Sequence, residues 1–148
     1  MTAPHMMFTK SETNPILLVE DRSTDLDLTK RALARRKFVN PIQVARDGEQ
    51  ALAFLSRWET GEATPVCILL DLKLPKVDGL EVLRQVKNHP RFRSIPVIIL
   101  TSSAQQRDLR EAYDLGCNSY IVKPVDFSKF VEVASYIQIY WCTLNAVP

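Results

Sequence analysis

Four apolar runs in this 148-residue chain stop at residues that can do chemistry. ILLV leads into Glu20-Asp21, CILL into Asp71, VIIL into Thr101-Ser102-Ser103, and YIV into Lys123-Pro124. An acid closing one apolar run reads most simply as a cap on the next helix. The four ends taken together read differently. If the runs lie side by side, Glu20, Asp21 and Asp71 converge, and two like charges about 4 Å apart repel by about 4 kcal/mol at an effective dielectric of 20. Such a cluster demands a cation. Oxygen-only ligation with few protein donors suits Mg2+, or Mn2+ in its place, with waters and a substrate phosphate completing the shell. Lys123 adds a positive charge and Thr101 a hydroxyl donor, so the residues describe a site for a phosphoryl group.

The elements that must position them follow from periodicity. Strand-like runs at 16–20, 42–46, 66–71, 96–101 and 119–123 alternate with segments whose apolar residues recur at helical spacing, such as Leu80, Leu83 and Val86. Several runs are continuously apolar, as expected for strands covered on both faces. Five strand–helix units without a linker predict one α/β domain with a doubly wound, five-stranded parallel sheet, for which the order 2-1-3-4-5 is adopted as the working expectation. That order makes the first and third strands neighbours and puts their ends at the point where the winding reverses, where ligands of such sheets bind. Asp78-Gly79 is expected to turn the chain into the third helix and Asp126 to cap a last helix of about 15 residues.

Composition excludes several classes. The net charge of +2 is too small to imply nucleic acid. Three cysteines, Cys67, Cys117 and Cys142, have no C-x-x-C spacing, which predicts reduced thiols and neither a disulfide framework nor a zinc site. No apolar run approaches the length of about 18 residues that a membrane span needs. Residues 1–14 carry no signal-peptide pattern and are expected to be a mobile tail before a single domain over 15–148.

The combination of Glu20-Asp21, Asp71 within DLKLPKVDG, Thr101 within LTSS, and Lys123-Pro124 resembles the receiver domain of two-component response regulators, over about residues 14–142. That resemblance implies a flavodoxin-like receiver fold and phosphorylation of Asp71 by a sensor histidine kinase. It further implies metal binding by Glu20, Asp21, Asp71 and the main-chain carbonyl of Lys73. Thr101 and Lys123 would bond the phosphoryl oxygens, Tyr120 would be the switch aromatic, and Pro124 would follow a cis bond. LTSSAQQRDLREAYDLGCNSYIVKPVDFSKF, with YW further on, is similar to the single-domain Rcp type, the response regulators of cyanobacterial phytochromes. A phytochrome-type kinase and a cytoplasmic location are then expected. No turnover of an external substrate is implied, only the chain's own phosphotransfer and dephosphorylation. Output is expected through a protein partner or oligomeric state, since no DNA-binding domain follows.

Two other readings compete. A phosphatase of the haloacid-dehalogenase type uses a nucleophilic Asp with Mg2+, but it needs an acid two residues later, where Lys73 stands. A pseudo-receiver would dimerise without phosphorylation. On the last helix, Phe130, Val131, Ala134, Ile137 and Trp141 fall on one face and suit the core. Val133, Tyr136 and Tyr140 form a second apolar stripe, expected to be a homodimer contact on the face of helix 4, strand 5 and helix 5. That is also the dimer face of the family resembled.

Overall fold

A computed structural model describes residues 14–36, 39–123 and 126–144, with the side chains at 139 and 142–144 left aside. The strands are β1 (Ile16–Val19), β2 (Ile42–Ala45), β3 (Cys67–Leu70), β4 (Val97–Thr101) and β5 (Ser119–Val122). They alternate with α1 (Ser23–Arg35), α2 (Gly48–Glu59), α3 (Gly79–Asn88), α4 (Gln106–Leu115) and α5 (Phe127–Tyr136). All neighbouring strands pair in parallel, as the alternation of elements predicts, and they stand in the expected order β2-β1-β3-β4-β5.

The strand sequences explain the layering. Ile, Leu and Val stand at nearly every position of β1, β3 and β4, and each of these strands is buried along its length. Successive residues point to opposite faces. Leu17, Val19, Ile68 and Leu70 pack with Phe54, Trp58 and Leu83 from the α2 and α3 side. Leu18, Leu69 and Ile98 form the other face with Ile137, and a neighbouring cluster joins Leu33 of α1 to Phe130 and Ala134 of α5. Both faces are therefore covered, and function is left to the strand ends.

The ends are held tightly. The ladder stops one residue earlier than the apolar runs suggest at β1, β3 and β5, yet the next residue of each still makes a backbone bond. Glu20 N–H donates to Ala45 O at 3.0 Å, Asp71 N–H to Val19 O at 3.1 Å, and Lys123 N–H to Thr101 O at 2.7 Å. Asp47, Asp78 and Asp126 cap α2, α3 and α5, each accepting a bond from a backbone N–H of the first turn. Gly116, at φ 104°, ends α4 in the left-handed conformation that glycine reaches without strain.

Several expectations need correction. Asn14 belongs to the folded body: its amide donates to Thr64 O at 2.7 Å and its carbonyl accepts from Asn40 at 2.9 Å. The last helix is not uniformly α-helical, because Ile137–Leu144 continues as a π-helical stretch beyond Tyr136. Phe130, Ala134 and Ile137 are buried, as predicted. Val133 is half-buried and stands between the core face and Tyr136. It lies three residues after Phe130, only about 60° away round the helix, and packs against the core. Tyr136 and Tyr140 do point outward, 70% and 50% exposed. Cys67 and Cys117 are buried thiols; the side chain of Cys142, Pro124 and residues 1–13 lie outside what is described. No helix among the described residues is long and apolar enough to cross a membrane.

Gly79 opens α3 directly beneath Asp71. A Cβ there would run into the carbonyl oxygen of Asp71 and stand 2.6 Å from Leu72 Cα, both backbone groups with no freedom to yield. Gly79→Ala is expected to cost about 1–3 kcal/mol, the usual price of overpacking. Urea unfolding measures it, and a midpoint equal to that of the native chain would contradict the contact.

Candidate functional site

Asp71 leaves β3 at the middle of the sheet and is 4% exposed. One carboxylate oxygen accepts from Lys73 N–H at 3.2 Å and the other from Lys123 Nζ at 2.8 Å. Lys123 arrives from the end of β5, its side chain only 6% exposed, and also donates to Glu20 Oε1 at 2.6 Å and Asp25 Oδ2 at 2.8 Å. One ammonium thus faces three carboxylates. Burial would by itself lower its pKa, but the bonds to Asp25, Asp71 and Glu20 outweigh this and hold it above the usual lysine range. Glu20 is pushed the other way for a carboxyl, up to about 6, chiefly by burial and further by the charge of Asp71, with Lys123 opposing.

Glu20, Asp21 and Asp71 each offer an oxygen within 4.8 Å of the others. This is the convergence that the strand ends predict, at the β1–β3 crevice. The donors are all carboxylate oxygens, a set that fits a hard divalent cation such as Mg2+ or Mn2+. Beside them opens a cleft of about 360 Å3 whose lining includes Asp21, Lys73, Leu74, Pro75 and Asp108. A phosphate-sized group fits such a space.

Thr101, fully buried at the end of β4, is set beside this crevice, and its hydroxyl accepts a long 3.4 Å bond from Ser103 N–H. Tyr120 on β5 donates its hydroxyl to Ser103 O at 2.8 Å, so the ring leans toward the β4–α4 loop. Burial raises its pKa. Pro124 falls outside the described residues, and with it the expected cis bond.

Two residues of the site are not among the sequence candidates. Asp25 sits in the first turn of α1, where its Oδ2 accepts from Lys123 Nζ at 2.8 Å; by type it has the appearance of an ordinary first-turn acid. Asp108 sits in the first turn of α4, 5% exposed, where it accepts from Ser103 Oγ at 2.5 Å and pairs with Lys73 Nζ at 3.5 Å. The Ser103 hydroxyl, with help from Lys73, holds its carboxyl below the usual range. Within the charged run QRDLRE nothing distinguishes it by type.

Known proteins resemble the chain over nearly its whole length. The response regulator receiver domain model matches residues 16–135. The probable methanogenesis regulatory protein FilR2 of Methanothrix harundinacea is 45% identical over 90% of this chain and 86% of its own. Response regulator Rcp1 of Synechocystis is 36% identical over 93% of this chain and 97% of its own. Its Mn2+-bound form superposes with a TM-score of 0.82, at 34% identity over 91% of this chain and 99% of that one. The phosphorylated cyanobacterial phytochrome response regulator RcpA superposes with a TM-score of 0.85, at 36% identity over 92% and 99%.

The elevated Glu20 pKa sets a pH dependence. A proton and a divalent cation compete for the same carboxylate, so Mg2+ affinity should be full above pH about 7 and fall as the pH drops through 6. Calorimetric Mg2+ titrations across that range measure it; an affinity independent of pH would sink the assignment of Glu20. Without metal the folded chain binds this proton more tightly than the unfolded one, so Glu20 costs stability as pH rises from 4.5 to about 6.

Proposed function

Because the chain belongs to the response regulator receiver domain family, we propose that it accepts a phosphoryl group on Asp71 from a sensor histidine kinase. The observation that carries this reading is the setting of Asp71: a buried carboxylate between Lys123 and the Lys73 N–H, next to Glu20 and Asp21 at the mouth of a cleft. In the transfer, an Asp71 oxygen forms a bond to phosphorus as the phosphorus–nitrogen bond of the kinase phosphohistidine breaks. The electron pair of that bond stays on the imidazole. Alignment and neutralisation of charge are most of what such a transfer requires. Lys123 is already bonded to Asp71 and can follow the new phosphoryl oxygens with little movement, while the Thr101 hydroxyl stands by as a donor. Mg2+ held by Glu20, Asp21, Asp71 and the Lys73 carbonyl would neutralise the remaining charge, a role supported by the Mn2+ form of Rcp1.

The chain is then a signalling module and not an enzyme with an external substrate, acting in the cytoplasm. The likeness to RcpA favours a phytochrome-type kinase. FilR2 bears the name of a different regulatory role, so phosphotransfer from a panel of kinases is the experiment that assigns the sensor.

Label from acetyl phosphate or from the kinase is expected on the native chain, only with Mg2+, and not on Asp71→Asn. That substitution keeps the shape and removes the nucleophile. Comparable label on Asp71→Asn would overturn the proposal.

Tyr136 and Tyr140 add a second element. Among the described residues, Tyr113 of α4, Val122 of β5, Tyr136 at the end of α5 and Tyr140 in the π-helical stretch after it are large apolar side chains left exposed. A self-complementary contact about a two-fold axis is the commonest use of such a face, and a homodimer through α4, β5 and α5 is the reading adopted. Tyr136→Glu with Tyr140→Glu should give monomers in analytical ultracentrifugation that still label on Asp71. Val133 is left intact because it is partly buried against the core, so that its replacement would also disturb packing. A native chain that sediments as a monomer with and without phosphoryl mimic would exclude the dimer.

A further inference from the structure

Asp108 belongs to none of the roles assigned above, yet it is a buried acid at the edge of the cleft. Its Oδ2 receives both the Ser103 hydroxyl at 2.5 Å and the Lys73 ammonium at 3.5 Å. These partners come from two loops, the one after β3, which lines the cleft, and the one after β4. Lys73 is the informative member. Its backbone N–H touches Asp71 at 3.2 Å, and its side chain, 65% exposed, is long enough to turn toward a group attached there. It is drawn to α4 instead. A phosphoryl group on Asp71 would be an anion competing with Asp108 for the same ammonium.

We infer that Asp108 is a positioning residue that acts through Lys73: it holds back the Lys73 ammonium, and the phosphoryl group on Asp71 is consequently bound less tightly than the surrounding charges allow. The inference rests on the phosphoacceptor reading. It adds a regulator of that site, located on α4 outside the metal and phosphoryl ligands. The two anions share one cation, so occupancy of the cleft and the hold on α4 oppose one another. The same carboxylate anchors Ser103, whose carbonyl takes the Tyr120 hydroxyl. Release of Lys73 therefore perturbs a network that reaches β5.

The test is equilibrium binding of beryllofluoride in the presence of Mg2+, followed by fluorine NMR or calorimetry. Asp108→Asn keeps the size and leaves an oxygen for the Ser103 hydroxyl while removing the charge. It should bind the mimic about twofold to fivefold more tightly than the native chain, the range of a largely exposed ion pair. Loss of any nearby negative charge would also favour an anion, so the decisive comparison is made in a Lys73→Gln background. There Asp108→Asn should bring no gain. A gain that persists without Lys73 overturns the inference in favour of a general field effect, and equal affinity of Asp108→Asn and the native chain overturns it outright. Should Asp108→Asn melt well below the native chain, Asp108→Ser carries the same expectation. If the native chain binds no beryllofluoride, the phosphoacceptor reading fails and this inference with it; binding that is merely insensitive to Asp108 removes the second alone.

Discussion

The interaction on which the rest depends is a single ammonium, Lys123 Nζ, set among Glu20, Asp25 and Asp71. Three carboxylates in a half-dry crevice are unfavourable by themselves, and each pair costs several kcal/mol at short range. The partners are far apart in sequence: Lys123 stands 103 residues after Glu20 and 52 after Asp71. No local turn could assemble them. A parallel sheet can, since it brings every strand end to the same edge, and the order β2-β1-β3-β4-β5 puts β1 beside β3 at its centre. The fold is in this sense the smallest device that closes the charge balance.

A site of this kind has more anions than its one resident cation can satisfy, which makes it receptive to a second. The Glu20 pKa is raised chiefly by burial, with Lys123 opposing and the Asp71 charge adding to the rise, and a divalent metal would relieve the same uncompensated charge. The framework must then resist collapse or spreading as charge enters and leaves. It does so through backbone: Glu20, Asp71 and Lys123 are each tied to a neighbouring strand by a main-chain bond. The close approach of Gly48 to the Val77 carbonyl and of Gly79 to that of Asp71 sets α2 and α3 against the loop after β3.

Much of this was legible in the residues alone. Continuous apolar runs reveal buried strands, and strand ends bearing Asp71, Thr101 and Lys123 reveal the site, because burial and convergence follow from topology. What escaped was whatever depends on helix rotation. Asp25 and Asp108 are first-turn acids, a type so favoured by the helix dipole that composition cannot separate a solvated one from one turned inward. Val133, three residues from both Phe130 and Tyr136, is half-buried against the core, and a stripe counted from Tyr136 and Tyr140 does not say how wide a helix face the core covers. The change to π-helical geometry after Tyr136 carries no mark in IQIYWCTL beyond its apolar character. Periodicity resolves the sheet; it does not resolve the rotation of a helix to better than one flank.

Ser103 shows why that distinction matters for function. Its N–H reaches the Thr101 hydroxyl, its own hydroxyl reaches Asp108 on α4, and its carbonyl accepts from Tyr120 on β5. Three elements meet on one residue of a short loop. The contact with Thr101 is the longest of the three, at 3.4 Å, and so the one most easily exchanged for a better acceptor or donor in the crevice. The contacts to Asp108 and Tyr120 are short and partly shielded from water. A displacement of Thr101 therefore reaches Ser103 through the weak bond, whereas a displacement of Ser103 must move both α4 and β5 through strong ones. Thr101, α4 and β5 are thereby linked through one residue, and a displacement at any of the three is felt by the other two.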